Sequence, residues 1–314
     1  MSLDSSVNPP ATAAKIHLRM PATSANLGPA FDAAAVALDF ALEIDAEPAP
    51  EFSIQATGCD AERCAQLENN LILEIYKELL LSHGRPVVPL AIRMKNEIPL
   101  GMGCGSSAAG RLAAIVLGDH FGNLGWSSER ILEEACVLEG HPDNAAACWL
   151  GGFVAAANED RTVHVARVEP PVEWLAIIAT PSEPLATTKA RAVLPATYSR
   201  ADAVLNIQSA SLLGLAFAQG RGDLLRVAMR DRIHQPYREP ICPLLQHLLP
   251  LAGQHGILGA ALSGAGPSVL LIIEGERSLD RALLAIRFNI NDLQDIELRV
   301  TRFQTLGGRD SITG

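Results

Sequence analysis

The sequence has no excess of positive charge. It carries 25 Lys and Arg against 35 Asp and Glu, a net charge of −10 at neutral pH. A broad nucleic-acid or acidic-membrane footprint needs clustered basic residues, so neither partner is expected. A local anion site is not excluded, because a few backbone amides hold a phosphate without net positive charge. Cysteine pairing is also missing. None of the six cysteines forms a CxxC pair and no histidine falls at zinc-finger spacing, which argues against a disulfide scaffold or a structural zinc. All six read as small buried hydrophobes in a reducing compartment. The start of the chain lacks a basic stretch followed by an apolar one, so no signal peptide is expected and the first residues read as a flexible tail. The long uncharged run from Gly256 to Ile273 is broken by Gly264, Gly266 and Pro267. It reads as two strands joined by a turn rather than a membrane helix. The expectation is a soluble cytoplasmic protein.

What is present is enough for two domains. The chain has 314 residues, and domains average roughly 150. With 48% hydrophobic and 19% charged residues, disorder is unlikely to prevail. KIHLRMPAT alternates as a strand that enters a loop at Pro21, and AAAVALDFALEIDAE continues as a strand. LILEIYKELLLSHG has helical spacing and a terminal glycine. SSAAGRLAAIVLGDHFG reads as a helix capped by serine, and SSERILEEACVLEG as another capped by Ser127 or Ser128. In the second half EWLAIIATP is a buried strand, TTKARAVLP a short helix, and two longer helices flank Gly220 to Gly222. A last helix and a closing strand follow the Gly-rich turn. Helices and strands mix without regular alternation, which favours an α+β class. Two prolines at Val168–Pro171 mark a boundary between domains 1–168 and 169–314.

Four segments carry chemistry. In PLGMGCGSSAAGRLAAI, Gly101, Gly103 and Gly105 precede two serines and a helix. Such glycines let backbone approach a bulky anion, and the helix start offers unpaired N–H groups. The segment is neither a Walker A loop nor a Rossmann fingerprint, and a plain serine-capped turn remains open. LEGHPDNAAACWLGG concentrates Glu139, His141, Asp143 and Asn144. Either these ligate a cation and orient a nucleophile, or Gly140 ends one helix and Asp143 or Asn144 caps the next. PATSANLGPAFDAAA places Ser24, Asn26 and Asp32 in a Gly/Pro-bearing loop, and LSGAGPSVL permits another close backbone approach. Arg191 and Arg238 stand near prolines without evident acid partners; a single Arg is by default a solvated surface residue.

Taken together, these segments resemble the GHMP small-molecule kinases. PLGMGCGSSAAG is similar to their P-x-G-x-G-L-G-S-S-A-A phosphate loop. PATSANLGPAFD, EGHPDNAAACWLGG, TTKARAVLP, PYRE and LSGAGPS resemble, in order, the segments of the homoserine kinases within that superfamily, from about Pro21 to Leu270. The resemblance implies an N-terminal ribosomal-S5-domain-2-like domain and a C-terminal ferredoxin-like α/β sandwich, forming a homodimer. It implies that Pro99, Leu100, Gly101, Met102, Gly103, Cys104, Gly105, Ser106, Ser107, Ala108 and Ala109 wrap the ATP phosphates, with Asn70 near the adenine. Ser107 and Glu139 would hold Mg²⁺, with Ser106 the alternative if the register is shifted. Asn26, Asp32, His141, Asp143 and Asn144 would line the homoserine site. There Arg191 and Arg238 would grip the carboxylate, Asp32 the amino group, and Ser263 to Ser268, with Gly264, would close it. Glu139, Asp143, Asn144 and Ser107 form the implied catalytic set, acting by positioning rather than by a strong base. The implied reaction is phosphoryl transfer from MgATP to L-homoserine in threonine biosynthesis. The alternatives are a GHMP kinase with another alcohol substrate, or an inactive nucleotide-binding regulator. Three departures stand out: Ala30 for a glycine, Cys104 for a leucine, and AAACW for a V-A-P stretch. If position 30 needed a positive φ, Ala30 would cost about 1 kcal/mol or more.

Overall fold

The structure is a computed structural model that describes residues 15–314; the tail read at the N-terminus falls outside the described residues. The first half contains β1 (Ile16–Ala25), β2 (Ala34–Pro48), β3 (Ser53–Gly58), α1 (Ala61–Cys64), α2 (Leu71–Ser82), β4 (Leu90–Asn96), α3 (Ser106–Gly122), α4 (Ser128–Glu139), α5 (Asp143–Leu150), β5 (Phe153–Glu159) and β6 (Thr162–Val168). The second half adds β7 (Leu175–Thr180), α6 (Thr187–Ala192), α7 (Arg200–Gln219), α8 (Gly222–Ala228), α9 (Gln235–Arg238), α10 (Leu244–Leu248), β8 (Ile257–Leu262), β9 (Val269–Ile273), α11 (Glu276–Asn289) and β10 (Glu297–Arg302).

The first sheet has the order β3-β4-β2-β5-β6, with β1 pairing β2 from Ala35 to Ala46 along its other edge. Ile16, Leu18 and Met20 of β1 point into the core as their alternation requires. β1 does not stop at Pro21. A register shift between Pro21 and Ala22 lets the strand continue to Ala25, since a bulge tolerates the missing N–H. The hairpin β5–β6 was not anticipated: its first strand, FVAAANE, carries little β-branched signal, and its turn rests on Asp160 at φ 55°. Helix α3 is wrapped by the sheet, α2, α4 and α5, and is buried on nearly every side.

The second sheet is antiparallel with order β10-β7-β9-β8. Numbered within its own half, this is fourth-first-third-second, the ferredoxin-like arrangement. β7, β8 and β9 are buried on both faces, while β10 is a largely exposed edge. Ala176 and Ile178 of β7 join the core of the first half, while Leu175, Ile177 and Ala179 join a second core under α10 and α11. That explains the continuous apolar run of this strand. The Gly256–Ile273 stretch forms β8, a turn and β9, as expected. Among the described residues one helix, α7, is long and apolar enough to cross a membrane; Leu213, Ala216 and Phe217 pack it into the protein, while Val204, Ile207 and Leu215 are exposed. Segment 169–174 separates the halves, but the chain after β10 returns to the first sheet, with Phe303 opposite Leu38 and Thr313 opposite His17. The α+β arrangement in two domains is thus the one expected.

Candidate active site

The loop between β4 and α3 is shaped by left-handed glycines at φ +72° (Gly101), +79° (Gly103) and +75° (Gly105). Two of them have no space for a side chain. A Cβ on Gly103 would stand 2.2 Å from the Ser263 carbonyl oxygen, and one on Gly105 would stand 2.0 Å from Thr23 Oγ1. The loop is tied down from four directions. Leu100 N–H donates to Asp60 (2.9 Å) and Leu185 N–H to Gly101 O (3.1 Å). Ser263 Oγ donates to Gly103 O (2.7 Å) and Thr23 N–H to Cys104 O (3.1 Å). The expected serine cap of α3 is corrected. The N-cap is Gly105 in the left-handed region, without a side-chain bond, and Ser106 and Ser107 are the first helical residues. The first intrahelical bond runs from Ala109 N–H to Gly105 O. The preceding N–H groups therefore have no backbone acceptor, which is the anion-receptive end of a helix.

Two cavities meet at this loop. One of about 510 Å³ is walled by Leu71, Ile72, Met94, Ile98, Leu100 and Pro184. Another of about 180 Å³ holds the charged residues. Gly101, Ser106, Ser107 and Leu185 line both. Asn70 lies in the wall of the larger cavity, but its side chain is already engaged. Its Oδ1 caps α2 through Ile72 and Leu73 N–H (3.1 and 3.3 Å), and its Nδ2 donates to Gln66 O and Cys64 O (2.9 and 3.2 Å). It shapes the wall rather than offering free hydrogen bonds. Pro99, Met102, Cys104, Ala108 and Ala109 line neither cavity and form the loop's frame. Cys104 is buried, and burial pushes its thiol up to about 12.

Glu139, at the end of α4, faces Ser107. Ser107 Oγ donates to Glu139 Oε2 at 3.3 Å. Adjacent ligands of an octahedral Mg²⁺ stand about 2.9 Å apart, so this pair of hard oxygens fits two neighbouring positions of such a shell. A cation already bridges it: Arg111, one turn further along α3, touches both Ser107 Oγ and Glu139 Oε2 with Nη1. Arg111 was not singled out in the sequence; its i+4 spacing from Ser107 was the available signal. Next to Glu139, His141 Nδ1 pairs with Asp143 Oδ1 at 2.7 Å. Burial pulls the His141 pKa down, but the Asp143 hydrogen bond and charge, with Glu139 and Asp32, outweigh it and hold the imidazole above its usual range. Asp143 is buried and also accepts its neighbour's N–H, Asn144 (2.7 Å); the cap of α5 is Pro142, not Asp143 or Asn144. Thr23 Oγ1 donates to Asn144 Oδ1 at 2.6 Å, and the Asn144 amide NH₂ makes one long contact with Asp143 Oδ1 (3.5 Å) where Asn144 lines the smaller cavity. Thr23 also escaped the sequence reading, though it lies within PATSAN.

In the wall of the same cavity Arg191 forms a two-point pair with Asp32, at 3.0 and 2.6 Å. Arg238 is not the surface residue that a lone arginine suggests. It is 1% exposed; its Nε donates to Ala190 O (3.0 Å), and its Nη1 contacts His234 Nδ1 (3.1 Å) and Gly264 O (3.3 Å). Burial, then the nearby Arg191, lower its pKa. Both guanidinium groups lie over the Phe31 ring, at 5.3 and 5.4 Å. The loop from β1 to β2 presents Asp32 at φ 55°. Asn26 braces it, accepting from Asp32 N–H (2.9 Å) and donating to Gly264 O (2.8 Å). Asn26 thus lines the cavity with its polar atoms already used. Ser263 is fully buried and bonds Ser24 Oγ (2.9 Å) as well as the phosphate loop. It latches the C-terminal turn rather than reaching the cavity, whereas Gly264 lines it. Ala30 is absent from the positive-φ positions, so the strain expected there does not arise. Asp32, His141 and Asp143 also present ligand atoms within 4.8 Å of one another.

Comparison with known proteins agrees with this geometry. Residues 70–152 match the GHMP kinases N terminal domain and residues 215–292 the GHMP kinases C terminal domain. A homoserine kinase of Solibacter usitatus is 45% identical over 82% of this chain and 85% of its own length. One of Deinococcus radiodurans is 39% identical over 81% of this chain and 82% of its own length. The crystal structure of a homoserine kinase from Cytophaga hutchinsonii superposes with a TM-score of 0.80 at 23% identity, covering 95% of this chain and 97% of that one. A glycine loop on a helix start, the Ser107–Glu139 pair and the Arg191 and Arg238 pair sit on a fold shared with those proteins, and the chain belongs to the homoserine kinases of the GHMP kinase superfamily.

Proposed function

We propose that the chain transfers the γ-phosphoryl group of MgATP to the side-chain hydroxyl of L-homoserine, giving O-phospho-L-homoserine and ADP for threonine biosynthesis. The observation that carries this reading is the preformed Asp32–Arg191 pair in the wall of the cavity that the glycine loop also lines. An α-amino acid enters such a pair without a net change of charge. Its carboxylate takes the guanidinium groups of Arg191 and Arg238, and its ammonium takes the Asp32 carboxylate. The side-chain hydroxyl then points back toward Asn144 and the loop. Residues 1–168 supply the phosphate loop, and residues 169–314 supply both arginines and the latch at Ser263.

The adenine occupies the larger, apolar cavity and the phosphates lie along Gly101–Ser107 against the start of α3. Ser107 and Glu139 would hold Mg²⁺, which supplies charge neutralisation on the phosphates. The protein's own contribution is positioning. Asn144, fixed by Thr23, presents its amide to the incoming hydroxyl. Asp143 and His141 hold the wall beside it, and the loose transition state leaves little for a strong base to do. Helix-start N–H groups stabilise the charge on the transferring group. The same reading makes the enzyme a cytoplasmic homodimer that engages neither nucleic acid nor membrane, in keeping with its negative charge. A coupled ADP-release assay over L-homoserine, L-serine and mevalonate tests it. Turnover concentrated on L-homoserine supports the reading. Preferential turnover of mevalonate moves the chain to another alcohol, and no ADP release with any acceptor makes it an inactive nucleotide binder.

A further inference from the structure

A third cleft, of about 560 Å³, shares no lining residue with the two cavities of the active site. It lies against α8, α9 and the segment joining them. Arg226, Arg230 and Arg232 line it. Among the described residues none of these three guanidinium groups has a carboxylate within ion-pair distance, although most other arginines of this acidic chain are paired or hydrogen-bonded. Arg226 lies across the wall because Gly253, at φ +82°, leaves room; a Cβ there would stand 2.5 Å from Arg226 Cδ. Asp231 also lines the cleft, but its carboxylate is spent on the N–H groups of Ile233, His234 and Gln235 at 2.8, 3.0 and 2.6 Å. Glu239 is the remaining acid, so the lining keeps a net positive charge.

The second observation is Gln235, only 5% exposed. Its Oε1 accepts the Leu262 N–H at 2.7 Å, which fixes the orientation of the amide. Its NH₂ then has no protein acceptor. No buried side-chain nitrogen or oxygen among the described residues lacks a partner, so this NH₂ reaches the cleft that Gln235 lines. A nearly buried donor aimed into a cavity bordered by unpaired guanidinium groups is the arrangement that receives an oxyanion.

We propose that this cleft binds a small multivalent oxyanion, a phosphate or a polycarboxylate, with Gln235 Nε2 donating and Arg226, Arg230 and Arg232 supplying the charge. The site is placed to act on the acceptor loop. Asn206 accepts the Arg232 N–H (3.1 Å) and donates to Pro29 O (2.6 Å). His234 Nε2 contacts Gly28 O at 2.8 Å, and a Cβ on Gly28 would stand 2.1 Å from Met229 O. An anion that orders residues 229–235 therefore restrains the Gly28–Asp32 turn. This consequence, unlike the binding itself, rests on the homoserine reading.

Isothermal titration of the full chain with inorganic phosphate and, separately, with citrate tests the site. Both titrations are run with and without a saturating non-hydrolysable ATP analogue. We expect one site for at least one of the two anions, and which anion binds identifies the source. Its Kd should rise at least about tenfold in Arg226→Gln and in Gln235→Glu, which keeps the acceptor for Leu262 but turns the donor into a repelling charge. No heat from either anion up to about 20 mM, weaker than any useful site, overturns the proposal. So does an affinity unchanged in Arg226→Gln, or binding abolished by the ATP analogue, which would place the anion on the phosphate loop. The anion should also lower the KM for homoserine without changing kcat. Binding without that shift removes the coupling and leaves the site.

Discussion

The two ends of the reaction cleft are built by different means. On the proposed reading, the backbone does the binding at the phosphate end. Three left-handed glycines and the first turn of α3, all within residues 101–108, present N–H groups, and neighbouring N–H groups and the Ser263 hydroxyl clamp the loop's carbonyls from outside. At the acceptor end side chains do it. Asp32, Asn144, Arg191, Arg238 and the Gly264 turn come from five separate stretches of chain and arrive already hydrogen-bonded, Arg191 to Asp32, Arg238 to Gly264 O and Asn144 to Thr23. On that reading the first end is a preformed backbone template for the phosphates. The second is an exchange of partners, in which a zwitterion replaces contacts the protein makes with itself. A defect at the first end should therefore be steric and severe; a defect at the second should be graded and selective.

The sharpest break is Gly103→Val. Its side chain would collide with two carbonyls and need a disfavoured φ, so ATP binding by calorimetry should fall at least about 100-fold, the scale of losing a strained turn. ATP affinity within twofold of the parent would show the loop is not the phosphate site. Glu139→Gln comes next. It keeps the shape but removes the charge shared by Ser107 and Arg111, and turnover should drop about 100-fold with a higher Mg²⁺ requirement. Wild-type turnover at low Mg²⁺ would make Glu139 a mere helix end. A smaller effect of opposite sign is expected from Arg111→Met. With the bridging guanidinium gone, Mn²⁺ binding to the nucleotide-free protein, followed by paramagnetic resonance, should tighten about tenfold. Weaker binding would mean that Arg111 assists the metal rather than competing with it.

The smallest effect concerns pH and separates the two ends by stability alone. Burial holds His234 below the usual imidazole range, with Asp231 opposing and Arg238 reinforcing. The neutral ring accepts from Arg238 and donates to Gly28 O. The stability it contributes is thus fully present above the unfolded value, about 6.5. It is lost as pH falls through the lower folded value, at up to about 1.4 kcal/mol per pH unit. Urea unfolding across that range should show this slope, and His234→Gln should flatten it. An equal slope in the variant would assign the acid sensitivity elsewhere.

The same comparison explains what the sequence made legible. The phosphate loop was readable because its physics is local: glycine spacing and a helix start sit in consecutive residues. The strand pair across Gly264–Pro267 was readable for the same reason. The burial of Arg238 was not, because it depends on α9 packing behind the β1–β2 loop; PYRE marked the residue only through the family resemblance. Nor were Phe31, Thr23 and Arg111, whose roles exist only once β1, α3 and α5 are side by side. Asn26, Asn70 and Ser263 were found as site positions, but their hydrogen bonds are spent on the frame, which spacing alone does not disclose. The β5–β6 hairpin was missed because alanines carry no clear strand pattern.

The central claim is that the acceptor end selects by exchanging Asp32 for a substrate carboxylate on Arg191. It is tested most directly by comparing kcat/KM for L-homoserine and its methyl ester in the parent enzyme and in Arg191→Lys. The account predicts that the ester is worse in the parent by about 1–3 kcal/mol, roughly 5- to 150-fold, because an arginine loses a charged partner. Arg191→Lys should lose a similar factor on the free acid, change the KM for ATP little, and narrow the gap between acid and ester. Equal turnover of acid and ester by the parent enzyme would contradict the exchange.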